Sequence, residues 1–244
     1  MIRTIITVLY LVVYGLVSLV TLPVLAVIGH SDPEKKRRMA FSIITWGLNC
    51  VRTLSGAKLK VIGLENVPTD RPVLYAGNHR SFFDIVMGFP LLRYPTTFVA
   101  KIELKKVPIL HNWLDAVDCQ YMDRGDIKQN FRIIMNCIDL VKKGTSVYIF
   151  PEGTRSSGDT LLEFKEGSFR IAQRAHCPII PVAISNTDDI FENHLPALHP
   201  VQTVIEFGKP IYMDQMDPAD QRHVGRQVRE IIAGMLRKNH IDKK

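Results

Sequence analysis

A run of 26 residues, Thr4 to Gly29, carries no charged side chain, and Lys35-Lys36-Arg37-Arg38 follows shortly after it. As a helix rising about 1.5 Å per residue, the run reaches roughly 39 Å, more than the roughly 30 Å of a bilayer's hydrocarbon core. A cleaved leader is the main alternative, but the run is longer than the usual apolar segment of one and no small-x-small site follows it. At about 100° per residue, Arg3, Thr7, Tyr10, Tyr14, Ser18 and Thr21 fall within an arc of roughly 80°. Hydroxyls gain nothing by facing lipid, so the stripe should face another helix or the headgroup layer. A second apolar stretch, Met39 to Val51, is 13 residues long and too short to span. The basic cluster between the two belongs on the cytoplasmic side and is attracted to anionic lipid. The expectation is a two-helix membrane anchor over residues 1–56, in one leaflet or with one full span, leaving 57–244 on the cytoplasmic face of the cell membrane.

The remainder is long enough for one α/β domain. Short β-rich runs at Leu59–Ile62, Val73–Ala76, Thr97–Ala100, Val117–Met122, Ser146–Phe150, Ile179–Ile184 and Val204–Phe207 alternate with helical patterns. Helices are expected over Asp126–Lys143, with Gly144 at its C-cap, over Phe169–Ala175, and near the C-terminus, where Val224, Val228, Ile231 and Met235 form an apolar stripe. The formal charge of +7 points to an anionic partner, whether nucleic acid, an acidic membrane surface or a phosphorylated substrate. Cys50, Cys119, Cys137 and Cys177 form no C-x-x-C pair and have no His at ligand spacing, so they read as reduced core residues.

Two motifs carry chemistry. In Asn78-His79-Arg80-Ser81-Phe82-Phe83-Asp84 the chain leaves a buried strand, and Ser81 matches an N-cap with Asp84 on the first helical turn. Five residues apart on one helix, His79 and Asp84 would diverge by about 140°, so His79 has to precede the helix and fold back. Asp84 then fixes the imidazole tautomer and leaves the other nitrogen free to take a proton. The plainer alternative is that Asp84 only caps the helix and His79 is a surface loop residue. A metal pair has too few ligands, and no G-x-S-x-G or nearby Cys supplies a nucleophile, so a base here would activate a substrate hydroxyl directly. The second motif, Phe150-Pro151-Glu152-Gly153-Thr154-Arg155-Ser156, turns off the end of another strand. Gly153 lets the backbone approach a ligand, Arg155 can grip a phosphate, and Glu152 can brace Arg155 or hold a substrate hydroxyl. Taken alone, Arg155 could equally be a surface ion-pair residue. Lys165 in Phe164-Lys165-Glu166-Gly167 adds a cation.

Asn78-His79-x-Ser81-x-x-Asp84, Phe150 to Ser156, Phe164-Lys165-x-Gly167 and Ile180-Pro181-Val182 stand in the order and approximate spacing of the glycerolipid acyltransferases. From Leu59 to Phe207 the chain resembles that family, and within it the 1-acyl-sn-glycerol-3-phosphate, or lysophosphatidate, acyltransferases. The resemblance implies an α/β fold with a mixed, largely parallel sheet flanked by helices. It also implies a general base at His79 oriented by Asp84, and acceptor binding by Glu152, Gly153, Thr154 and Arg155 with help from Lys165. A phosphate-binding arginine of the family corresponds to Arg124; a glycine usual shortly before it is replaced here by Asp118. The implied reaction passes an acyl group from a thioester, acyl-CoA or acyl carrier protein, to the sn-2 hydroxyl of lysophosphatidate without a covalent enzyme intermediate. The implied partners are membrane lipid, the carrier and an anionic membrane surface, with no nucleic acid, metal or further cofactor. A relative with another acceptor such as glycerol 3-phosphate, a membrane-bound thioesterase and a non-catalytic lipid-binding protein remain open. Backbone N–H groups near the helix beginning at Phe82 are the candidate oxyanion donors.

Overall fold

The computed structural model describes residues 1–123, 125–156 and 160–240. Arg124, one of the expected phosphate ligands, lies outside the described residues.

Seven strands form one sheet: β1 (Lys58–Ile62), β2 (Leu74–Gly77), β3 (Thr96–Lys101), β4 (Gln120–Met122), β5 (Ser146–Ile149), β6 (Ile179–Ser185) and β7 (Gln202–Phe207). Their order is β1-β7-β6-β2-β5-β3-β4. Neighbours are parallel except β6 and β7, which pair antiparallel with Val182 opposite Phe207, so the sheet is mixed and largely parallel as expected. Parallel strands need crossover connections, and these place helices on both faces. β2, β5 and β6 are therefore buried throughout, which explains their continuous apolar runs. One face, with Tyr75, Tyr148, Ile180 and Phe207, packs under α1 (Ile2–Ser31), α2 (Pro33–Ser55), α3 (Phe83–Gly88) and α4 (Leu110–Ala116). The other face, with Leu74, Val147 and Ile179, is covered by α5 (Ile127–Lys142) and α6 (Arg170–Ala175) and, past the short α7 (Pro218–Gln221), by α8 (Val224–Lys238).

Several boundaries differ from the sequence reading, each for a local reason. The fourth strand begins at Gln120 instead of Val117, because Val117 closes α4 and Asp118 takes φ 57°. That left-handed conformation is one glycine adopts freely and aspartate tolerates, which accounts for Asp118 standing where the family usually has glycine. A 3₁₀ turn, Glu166–Phe169, precedes α6. On α8 the fully buried position is Ile232, with Ile231 only partly covered. The cap of α5 is Lys143, and Gly144 follows with φ 93°.

The N-terminal helices form an antiparallel hairpin, with Asp32 capping α2 through Lys35 N at 2.9 Å. The hydroxyl stripe of α1 faces inward. Tyr10 Oη donates to Gly47 O of α2 at 3.3 Å. Trp113 Nε1 of α4 donates to Ser18 Oγ at 3.0 Å, and Leu198 N donates to Thr4 Oγ1 at 2.9 Å. These bonds tie α1 to both α2 and the α/β domain, while Leu9, Val12, Val13, Leu16 and Val20 on the opposite face stand exposed. This helix is long and apolar enough to cross a membrane. Within the basic cluster, Arg37 is tied to Glu34 and Asp118, and Arg38 pairs with Glu34 and lies over the Tyr94 ring. Lys35 and Lys36 have no ion-pair partner among the described residues.

Burial pushes the thiols of Cys119, Cys137 and Cys177 up to about 12, and none of the four cysteines is disulfide-bonded. A thiol that is neutral at pH 8 is not a nucleophile. The same three are buried and Cys50 is partly exposed, so brief alkylation of the folded protein at pH 8 should modify Cys50 alone. Mass spectrometry checks this, and labelling of Cys137 without denaturant would contradict it.

Candidate active site

In the register of the central strands, Ala76 of β2 pairs with Ile149 of β5 and Gly77 with Val182 of β6. Three parallel strands thus release their C-terminal loops side by side, the usual ligand position in open α/β sheets. Gly77 is required at the exit of β2, since a Cβ there would lie 2.3 Å from Tyr148 Oη. Burial, reinforced by the nearby Asp84 charge, raises Tyr148 well above the ordinary phenol range, so it stays neutral. Next, Asn78, fully buried, mimics a backbone amide: its Oδ1 accepts from Ile184 N at 2.8 Å and its Nδ2 donates to Ile184 O at 3.0 Å.

His79 then folds back on Asp84, with Nδ1 and Oδ2 2.7 Å apart. Oδ2 also accepts from Arg80 N at 2.7 Å and Ser81 N at 3.0 Å, and Oδ1 accepts from Thr187 Oγ1. The other three donors already make the Asp84 carboxylate an acceptor, so Nδ1 is the nitrogen that donates to it. Nε2 makes no hydrogen bond among the described residues, and His79 lines a cavity of about 600 Å³. Phe150 stacks on the imidazole at 4.1 Å between centroids and 18° between planes, which fixes the ring plane. Asp84 contacts the imidazole and also closes the turn into α3, so it does more than cap the helix. The helix starts at Phe83, with Ser81 Oγ accepting from Phe83 N at 2.8 Å.

The second motif is clamped onto the first. Glu152, buried, accepts from His79 N and from Leu162 N, both at 2.9 Å. Ser156 donates to the His79 carbonyl from its N at 2.9 Å and its Oγ at 3.2 Å. Glu152 therefore neither braces Arg155 nor faces the cavity; both its oxygens hold loop backbone. Gly153 turns at φ 71°, so glycine is required by conformation, and a Cβ there would meet only the flexible end of Lys165, at 3.0 Å. Arg155 and Lys165 line the same cavity as His79, whereas Thr154 is half-buried outside it. The Arg155 guanidinium lies 4.2 Å over the Phe82 ring and 3.6 Å from Glu192 Oε1. The helix-start amides expected as oxyanion donors are already engaged: Arg80 N and Ser81 N on Asp84, Phe82 N on Glu192 at 2.8 Å, and Phe83 N on Ser81. Apart from these groups, Lys101 and Ser168, the cavity is mostly apolar, walled by Ile85, Phe89, Phe98, Leu104, Ile109 and Trp113, and it extends to Tyr10 and Tyr14 of α1.

Sequence reasoning missed Thr187 and Glu192. The signal available was the polar run Asn186-Thr187-Asp188-Asp189, immediately past a buried strand and at the same end of the sheet as both motifs.

Residues 58–185 match the family model described as Acyltransferase, a span that contains both motifs and the strands that carry them. The chain belongs to this family. The chain is 32% identical over 180 residues to a 1-acyl-sn-glycerol-3-phosphate acyltransferase of Chlamydomonas reinhardtii, covering 73% of this chain and 54% of the algal protein. It is 31% identical over 170 residues to the Escherichia coli K12 protein of that name, covering 68% and 69%. The corresponding Saccharomyces cerevisiae protein is 30% identical over 191 residues, covering 77% and 62%. The chain thus spans about half the length of the algal relative. The crystal structure of PlsC, the 1-acyl-sn-glycerophosphate (LPA) acyltransferase of Thermotoga maritima, superposes with a TM-score of 0.77 over 97% of both chains at 23% identity, so the two share a fold, N-terminal hairpin included.

Proposed function

We propose that this acyltransferase transfers an acyl group from a thioester donor to the sn-2 hydroxyl of lysophosphatidate, giving phosphatidate. The observation that carries the reading is the His79–Asp84 pair at 2.7 Å, set in one cavity with Arg155 and Lys165 and continuous with an apolar chamber. Such a cavity suits a molecule that joins a phosphate, a reacting hydroxyl and a hydrocarbon chain. The curated relatives named above carry the same activity in their names.

In the proposed step, Nε2 of His79 takes the proton of the acceptor hydroxyl while that oxygen attacks the thioester carbonyl carbon. The C–S bond breaks as the tetrahedral intermediate collapses, and the imidazolium returns its proton to the departing thiolate. Asp84 stabilises the imidazolium in between. Arg155 and Lys165 hold the phosphate so that the hydroxyl meets the base, an orientation effect of several kcal/mol, on the order of the lower part of the range for intramolecular reactions. The engaged amides at the start of α3 leave the oxyanion to other donors.

The anchor supports this chemistry. The inner stripe of α1 is bonded to the domain from Thr4 to Ser18, so a transmembrane pose would require stripping those contacts. We place the hairpin flat in one leaflet on the cytoplasmic side, its outer face in the acyl layer and Lys35 and Lys36 at the headgroups. A long-chain acceptor then reaches the site without exposing its chain to water, which costs about 0.8 kcal/mol per CH₂.

Purified protein in mixed micelles, given acyl-CoA or acyl carrier protein thioester with lysophosphatidate or glycerol 3-phosphate, should form phosphatidate from lysophosphatidate. Acylation of glycerol 3-phosphate instead, or release of fatty acid without an acceptor, would replace this reading by a relative with another acceptor or by a thioesterase.

A further inference from the structure

We propose that the segment leaving β6 is a two-armed brace for the site, in which Thr187 positions the base and Glu192 positions the phosphate-binding arginine. The inference rests on the functional reading above and extends it to two residues outside the family motifs.

β6 lies beside β2 in parallel register, so the chain emerging past Ser185 runs next to the chain emerging past Gly77. Asn78 stitches the two exits together at Ile184. Two residues past Ser185, Thr187 is fully buried and its hydroxyl donates to Asp84 Oδ1, the carboxylate oxygen that His79 does not use. The three donors on Oδ2 leave the carboxylate free to pivot about that oxygen, and the bond to Oδ1 removes the pivot. It also drains charge from the carboxylate and so limits how strongly Asp84 stabilises the imidazolium.

Glu192 works on the other half. Its Oε2 accepts from Ser81 Oγ at 2.7 Å, and its Oε1 accepts from Phe82 N at 2.8 Å while lying 3.6 Å from Arg155 NH1. Phe82 is the floor under the guanidinium at 4.2 Å. One carboxylate therefore grips the turn that carries the floor and the edge of the cation resting on it. The plane of Arg155 is set before a phosphate arrives, which matters because guanidinium recognises phosphate through a fixed fork of N–H groups.

The two arms should separate in steady-state kinetics. Thr187→Val keeps the shape and removes the donor. Its kcat should fall about tenfold with the acceptor KM within twofold, and the acidic limb of the pH–rate profile should move to higher pH as Asp84 holds the imidazolium more tightly. Thr187→Ser, which restores the hydroxyl, should recover most of the loss. Glu192→Gln can still accept from Phe82 N, and its amide can donate to Ser81 Oγ in place of accepting from it, so the main loss is the charge beside Arg155. Its acceptor KM should rise about fivefold, with kcat and the donor KM within twofold. A fall in acceptor KM would mean that Glu192 competes with the phosphate for Arg155, and would overturn that arm. Equal losses in kcat and KM in both variants, or an unmoved pH limb without rescue by serine, would overturn the brace as a whole. If Thr187→Val does not melt cooperatively, Thr187→Cys, a weak donor of similar size, takes its place and should give an intermediate loss. The wild-type assay is read first: absence of phosphatidate there refutes the functional reading, whereas its presence with unaffected variants refutes only the brace.

Discussion

Replacing His79 with alanine is expected to lower kcat for phosphatidate formation by about 10² to 10⁴, the usual contribution of a positioned general base, with the melting temperature nearly unchanged. The fold should tolerate the change because the anchoring bonds at this position are made by the backbone. The amide of His79 goes to Glu152 and its carbonyl to Ser156, and both survive truncation of the ring. Asp84→Ala is expected to behave differently. It loses the imidazole's partner and leaves the buried donors at Ser81 and Thr187 without an acceptor, at a cost of about 1 to 3 kcal/mol for each donor stranded. Turnover and stability should then fall together. Turnover with acyl-CoA and lysophosphatidate, alongside thermal melting followed by circular dichroism, separates the two cases; near-normal turnover in the alanine variant of His79 would sink the base mechanism.

The contrast also explains why the two motifs travel together in one sequence. Glu152 and Ser156 are in the second motif, yet the groups they hold are the amide and carbonyl of the first motif's histidine. In the proposed mechanism a general base 1 Å out of place is of little use, and the loop that carries Arg155 is the one that fixes the loop that carries His79. In the sequence, Glu152 looked like a substrate contact because a carboxylate beside an arginine has two plausible uses. It serves neither, because His79 N and Leu162 N take both its oxygens, and spacing along the chain does not encode where those amides lie.

The central strands β2, β5 and β6 were legible because burial on both faces leaves unbroken apolar runs, and all seven strands lie close to the β-rich runs of the sequence. β4 was read too long, since the preference of Val117 for strands gives no sign that Asp118 will turn left-handed beneath α4. The inward stripe of α1 was legible from its hydroxyls at helical spacing. Its partners Gly47, Trp113 and Leu198 were not, because they come from three distant parts of the chain. Thr187 and Glu192 escaped for the same reason: they act across the sheet on groups about 100 residues earlier, and no local pattern marks such a pairing.

Replacing Leu9, Val13 and Leu16 together with glutamate is expected to release the protein from lipid vesicles while sparing the chemistry. These residues share the outer face of α1 and are each more than half exposed, at 62%, 51% and 61%. None of them lines the cavity, whereas Tyr10, Leu11 and Tyr14 of the same helix do. A buried side chain of this kind contributes about 1.5 to 3 kcal/mol, so losing three lowers the vesicle partition coefficient by at least about a thousandfold, before counting the repulsion between glutamate and anionic lipid. The inner face keeps its bonds to Gly47, Trp113 and Leu198, so the hairpin should stay folded on the domain. Turnover of a short-chain, freely soluble lysophosphatidate should then match the parent, while turnover of a long-chain acceptor presented in vesicles should collapse. Co-sedimentation with vesicles and the paired assays check both halves. Unchanged sedimentation would show that the outer face of α1 is covered by something other than lipid. Equal loss on both acceptors would instead make the hairpin part of the catalytic structure itself. The cavity already reaches Tyr10 and Tyr14, so one side of α1 forms part of its wall while the opposite side stands exposed, and the two assays read those two sides separately.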